Sequence, residues 1–140
     1  MPGRFVMSCV WFFCLGGLGL FFPYFSLYLR ENAGLSGSQV GVVLAMLPLA
    51  GTLVQPLWCQ LADRTGARSR VLVLIGLGAA IGYLTLGFVR GFGPLMLATL
   101  LLALFSTAVV PAAMSVTFAL ARGDRARVFG RMRVWGTIGF

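Results

Sequence analysis

Four long stretches of the chain carry no charge: residues 5–29, about 40–62, 71–89 and about 94–121. Each has about the 17–25 residues that a helix needs to cross a hydrocarbon core roughly 30 Å thick, the fourth being somewhat longer. Apolar side chains fill these stretches all round instead of forming one stripe, which fits helices immersed in lipid and not helices lying on a soluble core. A fifth apolar run starts at Val134 and reaches Phe140, the last residue. Seven residues rise only about 10 Å, so the run at 134–140 is too short to cross and the chain is expected to stop inside an element. The pattern predicts an all-α integral membrane protein with four transmembrane helices plus the start of a fifth.

The first run is longer than the roughly 7–15 apolar residues of a signal peptide, and no small-x-small cleavage site follows it closely. It is expected to be a retained span. Pro23, Pro48, Pro56 and Pro111 fall within the runs. Each removes a backbone donor and tends to bend its helix, which is tolerated where a neighbouring helix or a wet cavity satisfies the freed carbonyl.

Composition agrees with a membrane location. Of the 140 residues, 59% are hydrophobic and 10% charged, against about 25% charged in soluble domains. Mean hydropathy is +0.96. The net charge of +8 comes from eleven basic residues, all arginine, against three acids. A basic balance also suits nucleic acid, but these arginines stand in short clusters between apolar runs, so the bilayer is the expected partner. Arg4, then Arg64, Arg68 and Arg70, then Arg122, Arg125, Arg127, Arg131 and Arg133 fall on one side, nine in all, while Arg30 and Arg90 fall on the other. The positive-inside rule places the N-terminus in the cytoplasm, in a multi-pass protein of the inner or plasma membrane.

Several motifs read as packing. Gly76, Gly78 and the flanking apolar residues imitate a dinucleotide-binding glycine loop, but Ile81 stands where the third small residue belongs and no acid follows at the ribose distance. Gly78 and Gly82 instead make a small-xxx-small pair through which another helix can approach. Cys9 and Cys14 lie about 140° apart around a helix, and with Cys59 they form neither a metal set nor a disulfide framework. Histidine is absent, and no embedded acid or nucleophile–base pair exists, so neither an enzyme, a metal nor a cofactor is expected. The segment from Gly16 to Phe25 mixes small residues with aromatics, Tyr24 among them, as a cavity for a planar or sugar-like solute would.

The loop after the second run reads Cys59-Gln-Leu-Ala-Asp63-Arg64-Thr-Gly66-Ala-Arg68-Ser-Arg70. It resembles the signature between the second and third helices of the major facilitator superfamily, Gly-x-x-x-Asp-Arg-x-Gly-Arg-Arg, with Cys59 in place of the leading glycine and Ala67 in place of an arginine. Phe22-Pro23-Tyr24-Phe25, Leu35-Ser36-Gly-Ser38-Gln-Val-Gly41, Gln55-Pro56-Leu57-Trp58 and Phe129-Gly130-Arg131-Met-Arg133-Val-Trp135-Gly136-Thr-Ile-Gly139-Phe140 narrow the resemblance to the branch of lactose-permease-like and phenylpropionate-permease-like symporters.

The resemblance implies a chain that is part of the N-terminal six-helix half of a twelve-helix secondary transporter, proton-coupled, for a small organic acid or sugar. The missing C-terminal half would then be its partner. It also implies a cytoplasmic gating motif at Asp63, Arg64, Gly66 and Arg68, and a substrate cavity near Gly19, Arg133 and Phe140, to which the aromatic segment adds Tyr24 as a candidate. Where galactoside-binding relatives carry an acid on the fourth helix, this chain has Pro111-Ala-Ala-Met114-Ser115-Val-Thr117. Arg133 therefore lacks that partner, which favours an anionic solute. Two other readings compete: a non-transporting four-helix membrane protein or remnant, and a small dimeric multidrug exporter, which would need a first-helix glutamate that is absent.

Overall fold

The computed structural model describes residues 2–120 and 125–140. It contains five helices: α1 (Pro2–Glu31), α2 (Gly37–Thr65), α3 (Arg68–Phe88), α4 (Phe92–Leu120) and α5 (Arg125–Gly139). The first four are long and apolar enough to cross a membrane, and each extends a few residues beyond its uncharged run at one or both ends. Arg122 and Asp124 lie outside the described residues.

α5 begins at Arg125, well before the apolar run at Val134. The charged stretch 125–133 is helical as well, because arginine and alanine are among the better helix formers. Arg127, Arg131 and Arg133 are all exposed, so their charge does not oppose the helix.

Local signals set the turns. Ser36 and Gln39 close a capping box at the start of α2, Ser36 N–H donating to Gln39 Oε1 at 3.0 Å and Gln39 N–H to Ser36 Oγ at 3.4 Å. Gly66 ends α2 in the left-handed region at φ 65°, a conformation that costs other residues strain.

α4 is the central helix, with α2 and α3 packed along it, while α1 pairs mainly with α5. The α3–α4 contact depends on Gly82, where an added Cβ would lie 2.7 Å from the Cα of Leu102, and on Gly78, whose Cβ would enter the Phe105 ring. The expected small-residue contact is thus present, with backbone facing Gly82 and an aromatic ring facing Gly78. On the other side of the bundle Gly16 of α1 meets Gly139 of α5, an added Cβ at Gly16 falling 3.0 Å from the Gly139 carbonyl oxygen. Small residues on both partners bring these two backbones together, the usual device where lipid offers no hydrophobic drive.

Two buried zones occupy the ends of the bundle. One gathers Phe25, Leu29, Val43, Leu47, Leu95 and Leu102. At the opposite end Met7, Trp11, Ala113, Val116 and Met132 pack together, with Trp11 Nε1–H donating to Thr117 Oγ1 at 3.0 Å. Large apolar side chains such as Phe13, Leu53 and Phe88 are fully outward-facing, as a bundle solvated by hydrocarbon requires.

Candidate functional site

Between these two zones, midway along α1, the helices separate. A cleft of 610 Å³ lies among α1, α2 and α4, with Tyr83 reaching in from α3. Its wall is mostly apolar and includes Leu18, Phe21 and Phe22 of α1, three residues of the small-and-aromatic segment expected to line a cavity. No charged residue among the described ones lines it.

The polar groups of the cleft divide into two sets. Thr52 Oγ1 donates to the Leu49 carbonyl at 2.8 Å, and Thr107 Oγ1 to the Ala103 carbonyl at 2.7 Å, so both hydroxyl protons are spent on their own helices. Gln55 Nε2 donates across to the Thr107 carbonyl at 2.9 Å. That carbonyl has no helical donor, because the residue four places on is Pro111. One turn further along α2, Trp58 Nε1–H donates to the Leu104 carbonyl at 2.8 Å. The hydroxyls of Tyr83 and Ser106 make no hydrogen bond among the described residues. The cleft therefore offers aromatic faces, two unpaired hydroxyls and the free amide oxygen of Gln55, a chemistry that suits a small uncharged solute with hydrogen-bonding groups.

Gly19 and Phe140 come together, an added Cβ at Gly19 lying 2.9 Å from the Phe140 carbonyl oxygen and 3.1 Å from its ring. They sit at the α1–α5 contact, outside the cleft. Tyr24 is exposed and borders a smaller groove of 260 Å³ that Tyr28 and Tyr83 share. Arg133 is exposed, with its guanidinium carbon 5.9 Å from the Phe129 ring centroid. It stands seven residues, about 10 Å, before Phe140 on α5. None of these four lines the cleft.

At the α2–α3 turn, Arg68 Nη2 approaches Asp63 Oδ1 at 3.3 Å, with both side chains substantially exposed. Gly66 supplies the left-handed turn that brings them together, and Arg64 points to solvent. The motif thus closes on itself through one ion pair.

Gln55, Tyr83, Ser106 and Thr107 were not singled out as site residues by sequence. Gln55 did stand beside a span proline, and Thr107 stands four places before another. Those offsets mark a freed carbonyl and a nearby donor, but only the fold shows that they meet. Tyr83 and Ser106 carry no such signal.

Residues 5–140 match the family described as the MFS_1 like family. The chain is 32% identical to a maltose permease of Geobacillus stearothermophilus, covering 96% of this chain and 34% of that protein. It is 28% identical to an uncharacterized transporter of Bacillus subtilis (strain 168), over 91% of this chain and 32% of the relative. A lactose permease of Citrobacter freundii is 32% identical over 61% of this chain and 20% of its own length. The chain spans about a third or less of the curated relatives it matches.

Proposed function

Since this chain belongs to the MFS_1 like family, we propose that it serves as part of a secondary transporter for a small organic solute in the cell membrane. The observation that carries this reading is the uncharged 610 Å³ cleft with its aromatic walls and the unpaired Tyr83 and Ser106 hydroxyls. A sugar fits that chemistry: its ring packs on Phe21 or Phe22 while its hydroxyls bond to Gln55, Tyr83 and Ser106. The relatives named as maltose and lactose permeases support the same solute class.

In the whole transporter, this bundle would be one portion of a twelve-helix protein whose two six-helix halves rock about a central site. Asp63, Arg64, Gly66 and Arg68 would hold the cytoplasmic side closed when the site faces outward. The nine-to-two division of arginines supports a cytoplasmic N-terminus. Glu31, Asp63 and Asp124 all lie outside the uncharged runs, so a proton that drives uptake would be carried elsewhere in the transporter.

A second reading, uptake of an organic acid, rests on Arg133, which forms no ion pair among the described residues. Uptake of labelled maltose and of an aromatic carboxylate by the transporter containing this chain separates the two. The sugar reading expects maltose uptake that falls with Tyr83→Phe and Gln55→Leu and collapses with a protonophore. Carboxylate uptake that needs Arg133 and ignores Tyr83 would replace it. No uptake of either solute, with no solute-dependent thermal stabilisation, would favour a non-transporting membrane protein.

A further inference from the structure

Two neighbouring rings of α1, Phe21 and Phe22, both line the cleft, yet they are held differently. Phe21 is half-buried and has two close aromatic partners. Phe25, itself buried, stacks on it with centroids 4.5 Å apart and planes inclined by 22°. Tyr83 of α3 meets it edge-to-face at 4.9 Å and 76°. Phe21 and Tyr83 both pack against the buried zone that contains Phe25, so the three rings form one unit across α1 and α3.

Phe22 is 56% exposed. Its one aromatic contact among the described residues is with Phe21, at 6.1 Å and 69°, towards the outer limit for such pairs. Successive residues of a helix diverge by about 100°, which turns Phe22 away from the core that takes Phe21. Leu18, one turn earlier on the same side of α1, also lines the cleft and extends the apolar surface beside Phe22.

A sugar carries its hydroxyls around the rim of its ring and presents C–H groups on its faces. It binds an aromatic side chain by laying such a face on the ring, which needs a ring face that no other ring covers. To serve, Phe21 would have to part from Phe25 or Tyr83, each a favourable contact, whereas Phe22 would lose nothing. Hydroxyl recognition has the opposite need: a group held in place beforehand, because ordering a loose side chain on binding weakens the complex. The Tyr83 hydroxyl makes no hydrogen bond among the described residues. Packing alone therefore holds it, and Phe21 is the aromatic ring that packs against it.

We propose, on the sugar reading of the cleft, that the solute lays its ring on Phe22 and that Phe21 is a positioning residue which holds the Tyr83 hydroxyl for it. The resemblance instead points to Phe140 as the aromatic beside the solute, but Phe140 lies against Gly19, outside the cleft.

Maltose uptake by the transporter containing this chain tests both roles. Fluorinated phenylalanines at position 22 keep the shape of the ring and withdraw electron density from its face. The KM for maltose is expected to rise stepwise with fluorine number, and Phe22→Leu should raise it about two- to tenfold, the range that one aromatic contact contributes. The same fluorine series at Phe140 leaves KM unchanged. Phe21→Leu raises KM while the Tyr83 hydroxyl is present and has little effect once Tyr83→Phe has removed it. No maltose uptake by the unmodified transporter overturns the sugar reading and this proposal together. With maltose uptake present, a KM indifferent to fluorine at Phe22, or responsive at Phe140 instead, overturns the stacking role while the sugar reading stands. Equal effects of Phe21→Leu with and without the Tyr83 hydroxyl overturn the positioning role and leave Phe21 a packing residue.

Discussion

Gln55 and Thr107 are joined by a hydrogen bond that repairs a proline defect. The side-chain amide donates at 2.9 Å to the carbonyl that Pro111 leaves without an N–H. A carbonyl orphaned in hydrocarbon is costly, although interhelical bonds in membranes contribute only about 0.6–2 kcal/mol on measurement.

Gln55→Leu is therefore expected to lower bundle stability by about 1–2 kcal/mol. Pro111→Ala returns the helical donor to Thr107, so in that background the same substitution should cost about 1 kcal/mol less. A double-mutant cycle by denaturant unfolding in micelles measures the difference. Equal costs in both backgrounds would mean that Gln55 acts by packing alone.

Two glycines of α3 should respond with opposite sign. An alanine at Gly82 sets a methyl 2.7 Å from the Leu102 backbone, forcing α3 off α4 at a cost of about 1–3 kcal/mol. Gly76 is exposed with nothing within 4 Å of an added Cβ, so Gly76→Ala should be neutral or stabilise by up to about 1 kcal/mol through helix propensity. Thermal unfolding of the two variants side by side decides it.

The buried indole of Trp11 has Thr117 as its acceptor. Thr117→Val keeps the shape but strands the indole N–H, and should cost about 1–3 kcal/mol. Once Thr117 is valine, Trp11→Phe should add little beyond its change in volume. A large second loss would show that packing, and not the hydrogen bond, dominates the site.

Asp63 and Arg68 form an exposed pair, and such pairs contribute about 0–1 kcal/mol. Asp63→Asn should leave the melting temperature of the bundle within about 3 °C. If the motif gates the whole transporter as proposed, the same change should abolish most uptake while expression stays normal. A large drop in stability would instead assign Asp63 a structural role.

The spans were legible because a bilayer penalises charge, so the arginines mark their limits almost directly. Gly78 and Gly82 were legible for a related reason: small residues at helical spacing have few uses other than close approach. Charge misleads at α5, where exposed arginines continue the helix and the apolar run marks only its distal part. The cleft was visible only in outline. Aromatics between Gly16 and Phe25 announced it, yet Tyr83 and Ser106 reach it through the crossing of α3 and α4, which no local pattern encodes. The resemblance pointed to Gly19 and Phe140, and these meet at a helix contact outside the cleft.

The pairing of α1 with α5 has a consequence for biosynthesis. α1 ends at Glu31 and α5 begins at Arg125, so α1 enters the bilayer long before its main partner is made. At about 5–20 residues per second the ribosome needs roughly 5–20 s to make the intervening chain. Throughout that interval the glycine face around Gly16 and Gly19 remains open to lipid or to an insertion factor. Assembly of this bundle is thus a delayed reunion, in which α2, α3 and α4 can pack first and α5 arrives to close the groove on α1.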